Sequence, residues 1–209
     1  MTPFIKICGI KKYEHVKVAE KNGALWYGLV FHKKSPRFID LHDAEKIVKK
    51  FNKTIFPIAV TVNPEESFIK SLIEIGIENI QLHGNETLKY CLYLKNKFNV
   101  KIFKGIGLES KRDIYTAEKY SKIVDWIIFD KKDVIIHGGT GESFNWNILS
   151  KIDININYII SGGLTHRNVL GALNKTKAKG VDVSSGVETL LGEKSEDLIE
   201  KFCNSVKLF

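Results

Sequence analysis

Cys8 stands two residues after Lys6 in Phe4-Ile5-Lys6-Ile7-Cys8-Gly9, and Asp130 closes the apolar run Trp126-Ile127-Ile128-Phe129. A thiol that ionises can take a proton from carbon. A carboxyl in an apolar collar keeps its own proton to higher pH than a solvated one, and can then give it up. Together they offer a base and an acid for moving protons on one substrate. In an extended strand Phe4, Lys6 and Cys8 share a face, so a Cys8 at the open end of the strand puts the Lys6 ammonium beneath it. A buried ammonium needs a carboxylate, and Asp182 in Gly180-Val181-Asp182-Val183 is the expected partner. The same ammonium is expected to favour the Cys8 thiolate and lower its pKa.

Other residues read as ligand-holding groups. Arg37 follows Pro36, which stiffens its loop, and the guanidinium fork suits a carboxylate. Ser161-Gly162-Gly163, Ser184-Ser185-Gly186 and Gly138-Gly139-Thr140-Gly141 are glycine-rich turns. Such turns let backbone N–H groups approach an anion. Any one of them alone fits a plain tight turn; three in one chain point to phosphate. Gln81-Leu82-His83-Gly84 adds an amide and an imidazole.

These groups fall at the ends of apolar runs that alternate with helical patterns. Strands are expected at Phe4–Cys8, Leu25–Phe31, Phe56–Val62, Ile77–Leu82, Val100–Lys104, Val124–Asp130, Tyr158–Ser161 and Gly180–Ser184, each followed by a helix. Asn63 reads as the cap of the helix after the third strand, with Pro64 at its first position. Strict alternation means a parallel sheet. Eight units in this length favour an α/β fold, a single (β/α)8 TIM barrel spanning residues 1–209, over a doubly wound sheet. In that barrel the strand C-termini form the active face, and the last two loops hold phosphate.

Composition sets the outer limits. The 209 residues are 44% hydrophobic and 27% charged, which excludes a disordered chain, and no apolar run is long enough to span a membrane. No secretory signal pattern opens the chain. Three widely spaced cysteines, Cys8, Cys91 and Cys203, form neither a disulfide framework nor a zinc motif, and suggest a reducing, cytoplasmic setting. The net charge of +8 comes from scattered lysines. It reads as a solvated surface or a lure for a small anion, with nucleic acid as a third possibility lacking any stacking or helix-turn-helix pattern.

Lys6-Ile7-Cys8-Gly9-Ile10, Gly28-Leu29-Val30-Phe31 through Ser35-Pro36-Arg37, Gln81-Leu82-His83-Gly84, Phe129-Asp130, Gly138-Gly139-Thr140-Gly141, Ser161-Gly162-Gly163-Leu164 and Asp182-Val183-Ser184-Ser185-Gly186-Val187-Glu188 occur in that order. The series resembles the phosphoribosylanthranilate isomerase family. The resemblance implies a step of tryptophan biosynthesis, the Amadori rearrangement of N-(5-phosphoribosyl)anthranilate, with no metal and no organic cofactor. It implies Cys8 as general base and Asp130 as general acid. Arg37 would hold the anthranilate carboxylate and the turns at Gly162-Gly163 and Ser185-Gly186 the phosphate. Gln81, His83, Gly139, Asp182 and Ser184 complete the implied substrate site. The partner is then a phosphorylated small molecule, not nucleic acid or membrane; the oligomeric state stays open, with a monomer favoured. Thr61, where the family usually has phenylalanine, is expected to alter packing near the aromatic ring of the substrate. Lys131-Lys132 depart from the family's small or hydroxyl residues. Other phosphosugar barrels of the tryptophan and histidine pathways remain alternatives. The histidine-pathway isomerase carries an aspartate where this chain has Cys8, and indole-glycerol-phosphate synthase is usually longer.

Overall fold

Strand parity dictates the architecture. In the computed structural model, which describes residues 2–50, 54–131, 146–150 and 156–209, eight parallel strands close into a barrel in sequence order. They are β1 (Phe4–Cys8), β2 (Trp26–Val30), β3 (Phe56–Thr61), β4 (Asn79–Leu82), β5 (Lys101–Leu108), β6 (Trp126–Lys131), β7 (Tyr158–Ile160) and β8 (Gly180–Val183). The helices between and after them are α1 (Tyr13–Lys21), α2 (Leu41–Val48), α3 (Glu66–Glu74), α4 (Leu88–Phe98), α5 (Lys111–Ser121), α6 (Asn147–Ser150), α7 (Val169–Lys175) and α8 (Glu196–Lys207). Closure rests on β1 pairing with β8, where Lys6 lies in register with Asp182.

Alternate residues of each strand face two different environments. Ile5, Ile7, Leu29, Ala59, Ile80, Ile127, Phe129 and Val181 belong to the large core between sheet and helices. The other parity faces inward and changes character from bottom to top. At the bottom Trp26, Ile58, Phe103, Ile128 and Ile159 pack with Phe4 and Trp126. Four of these rings interlock, with centroids 5.3 Å apart for Phe4–Trp26 and 5.4 Å for Trp26–Phe103. Burying Phe103, 1% exposed, is worth about 1.5–3 kcal/mol relative to leaving it in water. At the top the apolar cluster thins to Cys8, Val30 and Val60, and charged groups take over.

Polar caps start several helices. Asp40 accepts from the Asp43 N–H, Thr87 from Tyr90 and Ser195 from Leu198; Ser110 and Asp113 form a capping box.

Two expectations are corrected, and one element is new. Asn63 does not cap α3, which begins at Glu66 with Glu65 before it. It adopts a left-handed conformation (φ +46°), and its Oδ1 accepts from the Asn85 N–H in the next loop. Thr61 faces the helices, not the mouth; it is buried and its Oγ1 donates to the Gln81 carbonyl at 3.1 Å. Finally, a small antiparallel hairpin, β9 (Glu188–Leu190) and β10 (Glu193–Lys194), follows a 3-10 turn at Ser185–Val187.

Candidate active site

The inward face of β1 places Lys6 and Cys8 one above the other, and β8 brings Asp182 beside them. Lys6 Nζ lies 2.8 Å from Asp182 Oδ2, with the lysine side chain completely buried. Burial alone would lower the Lys6 pKa, but Asp182 and the Cys8 sulfur carry it above the usual lysine range. The lower Cys8 pKa expected from the sequence is overturned. Burial pushes the thiol up, and the opposing pull of Lys6, helped by Lys194, does not cancel it, because Asp182 adds to the rise. Glycine at position 28 of β2 is what lets the sulfur sit there: a Cβ would lie 2.8 Å from Cys8 Sγ.

Asp130 ends the inward row of β6 and keeps 29% of its side-chain area exposed. Its Oδ1 accepts from the Lys131 N–H at 2.7 Å. Its Oδ2 is 3.8 Å from His83 Nε2, beyond hydrogen-bond range. Burial raises its pKa and Asp182 raises it further, against the lowering pull of His83, the Lys131 N–H and Lys6. Asp130 and Cys8 therefore stand in the field of one shared pair, Lys6–Asp182. Gly162, on the neighbouring β7 turn, leaves room for the carboxylate: a Cβ there would be 2.8 Å from Asp130 Oδ1. His83 Nδ1 is 3.0 Å from Gln81 Nε2. Among the described residues, Gln81 Oε1 and Asp182 Oδ1 are buried acceptors with no hydrogen-bond donor, so each could take one from a ligand or water.

Arg37 is buried but not free. Its Nε and Nη2 grip Glu188 at 2.7 and 2.8 Å. That corrects the picture of an open fork: one edge is occupied from within, and the Nη1–Nη2 edge is the one a ligand carboxylate could use. Lys194 closes on the same Glu188 at 2.5 Å. Ser184 is also engaged, its hydroxyl donating to the Cys8 carbonyl at 3.1 Å and accepting from Lys194 at 3.2 Å. Lys194 was not singled out in the sequence, and Glu188 entered only as the end of a motif.

The turns after β7 and β8 adjoin. Gly162 and Gly163 are consecutive left-handed residues (φ +83° and +67°), and the Gly163 carbonyl is tied by Asn168 Nδ2 at 2.8 Å. Among the described residues, neither the Gly163 nor the Leu164 N–H donates to a backbone acceptor. Gly186 lies so close to the Leu164 carbonyl that a Cβ would come within 1.8 Å of it, with Ser185 opening the 3-10 turn beside it. Donors of this kind suit an anion. Gly139 with its loop, and Lys132, lie outside the described residues. Among the described residues no His, Cys, Asp and Glu group could hold a metal, and no helix is long and apolar enough to cross a membrane.

Comparison with known proteins gives the family and the same barrel fold. The family described as N-(5'phosphoribosyl)anthranilate (PRA) isomerase matches residues 5–205. The N-(5'-phosphoribosyl)anthranilate isomerase of Rhizobium etli is 38% identical over 211 residues, covering 99% of this chain and 95% of that protein. The Brucella canis protein of the same name is 37% identical over 206 residues, covering 97% of this chain and 93% of that protein. The crystal structure of the Thermotoga maritima phosphoribosyl anthranilate isomerase superposes with a TM-score of 0.90 at 32% identity, covering 99% of this chain and all 100% of that one. A phosphoribosyl anthranilate isomerase in complex with reduced 1-(o-carboxyphenylamino)-1-deoxyribulose 5-phosphate superposes at 0.85 with 29% identity, covering 99% and 100%.

Proposed function

Because the chain belongs to the phosphoribosylanthranilate isomerase family, we propose that it performs the Amadori rearrangement of N-(5-phosphoribosyl)anthranilate to 1-(2-carboxyphenylamino)-1-deoxyribulose 5-phosphate, with Asp130 as acid and Cys8 as base. The neutral Asp130 carboxyl gives its proton to the furanose ring oxygen as the C1–O bond breaks. The nitrogen lone pair forms the C1=N bond, leaving a cationic Schiff base. The Cys8 thiolate then removes the proton on C2, and the released pair makes C1=C2 while the C=N electrons return to nitrogen. The enolamine takes a proton at C1 and loses one from the C2 hydroxyl, giving the ketone. Each proton-transfer group of this kind is worth roughly 10²–10⁴-fold in rate.

The protonation states follow from the surroundings. Burial keeps Asp130 protonated to higher pH than a solvated carboxyl, which suits an acid. Burial also makes the Cys8 thiolate the minor form in the unliganded protein. The Schiff-base cation supplies the missing positive charge next to the sulfur when the base is needed.

Binding has three parts. The free Arg37 edge takes the anthranilate carboxylate. The turns at Gly162-Gly163 and Ser185-Gly186 take the phosphate. Gln81 Oε1 and Asp182 Oδ1, buried without donors, accept sugar hydroxyls, and His83 lines the same wall as Asp130. Ser184 acts through the Cys8 main chain and not on substrate. The observation that carries the reading is the common Lys6–Asp182 pair beneath acid and base. The test is the loss of the substrate's anthranilate fluorescence on adding protein. Turnover that is lost in Cys8→Ala supports the reading; a wild-type rate in that variant overturns it.

A further inference from the structure

The Arg37–Glu188 pair poses an electrostatic problem. A guanidinium bonded by two nitrogens to a buried carboxylate is neutralised, and a neutral pair attracts an incoming carboxylate weakly. The hairpin β9–β10 changes this. Lys194 Nζ reaches Glu188 Oε1 at 2.5 Å, and also donates to the Ser184 carbonyl at 3.0 Å and hydroxyl at 3.2 Å. Lys194 and Glu188 side chains are 1% and 4% exposed, so solvent screens them little. Two cations share one anion, and the cluster carries one net positive charge.

We propose that Lys194 is a positioning residue for the substrate carboxylate: by neutralising Glu188 it leaves the open edge of Arg37 with an uncancelled positive charge. This rests on the assignment of Arg37 to that carboxylate. Burial holds the Lys194 pKa below the usual lysine range; Glu188 and Cys8 favour its charge and Arg37 opposes it. Arg37 and Lys194 together hold the Glu188 carboxyl below its usual range against burial. The nearby Glu193 is shared by Lys11 and Lys12 at 3.0 and 3.4 Å, but these side chains are open to water and screened by it.

The test compares N-(5-phosphoribosyl)anthranilate with N-(5-phosphoribosyl)aniline, which lacks the carboxylate. Lys194→Met should raise KM for the first by about tenfold or more, the scale of a lost charged contact, leave KM for the aniline compound unchanged, and lower kcat for both substrates alike through the lost pull on Cys8. The double variant Glu188→Gln/Lys194→Met again leaves one positive charge, on Arg37, and should recover the wild-type preference for the carboxylated substrate. It carries the test alone if Lys194→Met does not fold. An equal rise for both substrates, or a double variant without that preference, overturns the proposal. Arg37→Met is the control. If it discriminates between the substrates as expected, such a failure falls on Lys194 alone; if it treats both alike, the Arg37 assignment fails and the proposal with it.

Discussion

Two lysine–carboxylate pairs are buried on opposite faces of the same sheet. Lys104 points outward from β5, and its Nζ meets Glu86 at 3.1 Å and the carbonyls of Leu82, Gly84 and Gly105 at 3.0, 2.8 and 3.0 Å. Glu86 in turn accepts from the Asn63 N–H at 2.7 Å and the Gly84 N–H at 3.0 Å. Lys6 points inward from β1, bonds Asp182 Oδ2, and leaves Asp182 Oδ1 without a donor among the described residues. Both pairs are costly to bury. The outer pair offsets that cost by filling its hydrogen-bonding positions, and it ties the loops after β3 and β4 to strand β5. The inner pair stays incomplete, beneath a thiol and beside a carboxyl whose pKa is raised. Saturated polar groups build the rim, and the unsaturated ones face the barrel interior.

The sharpest way to break this contrast is at the proton-transfer atoms. Cys8→Ala and Asp130→Asn should each lower kcat by about 10²–10⁴-fold, with far-ultraviolet circular dichroism unchanged. Next comes the contrast itself. Lys104→Met strands Glu86 and should cost about 3–5 kcal/mol in urea unfolding, while the protein that remains folded keeps kcat within a few-fold. Lys6→Met/Asp182→Asn removes the inner charges together. It should cost far less stability than Lys104→Met, yet lose kcat by at least about tenfold, because Lys6, the strongest pull against burial at Cys8, is gone. The two results exchanged would refute the division into rim and site.

A smaller effect belongs to Arg37→Ala, which should raise KM by about tenfold or more with a lesser change in kcat. The smallest is a stability effect with a definite sign. Asp130 has its folded pKa raised above the ordinary 3.8, so its ionisation destabilises the fold as pH rises through that window. Asp130→Asn should therefore unfold at a higher temperature than the wild type at neutral pH, and the gain should vanish below about pH 3. A lower melting temperature at neutral pH would mean that Asp130 is held ionised by its neighbours.

Much of this was legible in the chain. Parity along Phe4–Cys8 and barrel closure between the first and last strands suffice to pair Lys6 with Asp182. Parity along β3 would also have turned Thr61 outward, since Ile58 and Val60 point in. Other features had no local signal. The Arg37–Glu188 contact spans 151 residues of chain, and Lys194 sits in a two-residue strand whose register is irregular. The sign of the Cys8 shift depends on burial outweighing a neighbouring ammonium, a balance that residue types alone do not give. Asn63 looked like a helix cap because the left-handed conformation that frees its side chain for Asn85 leaves no mark on the sequence.

The most direct measurement is a crystal structure with reduced 1-(2-carboxyphenylamino)-1-deoxyribulose 5-phosphate bound. The account predicts its phosphate between the turns after β7 and β8. It predicts Cys8 Sγ within about 4 Å of C2, and the Asp130 carboxyl within about 3 Å of the hydroxyl derived from the ring oxygen, the reach proton transfer demands. A ligand lying with either atom out of reach of the sugar would contradict it.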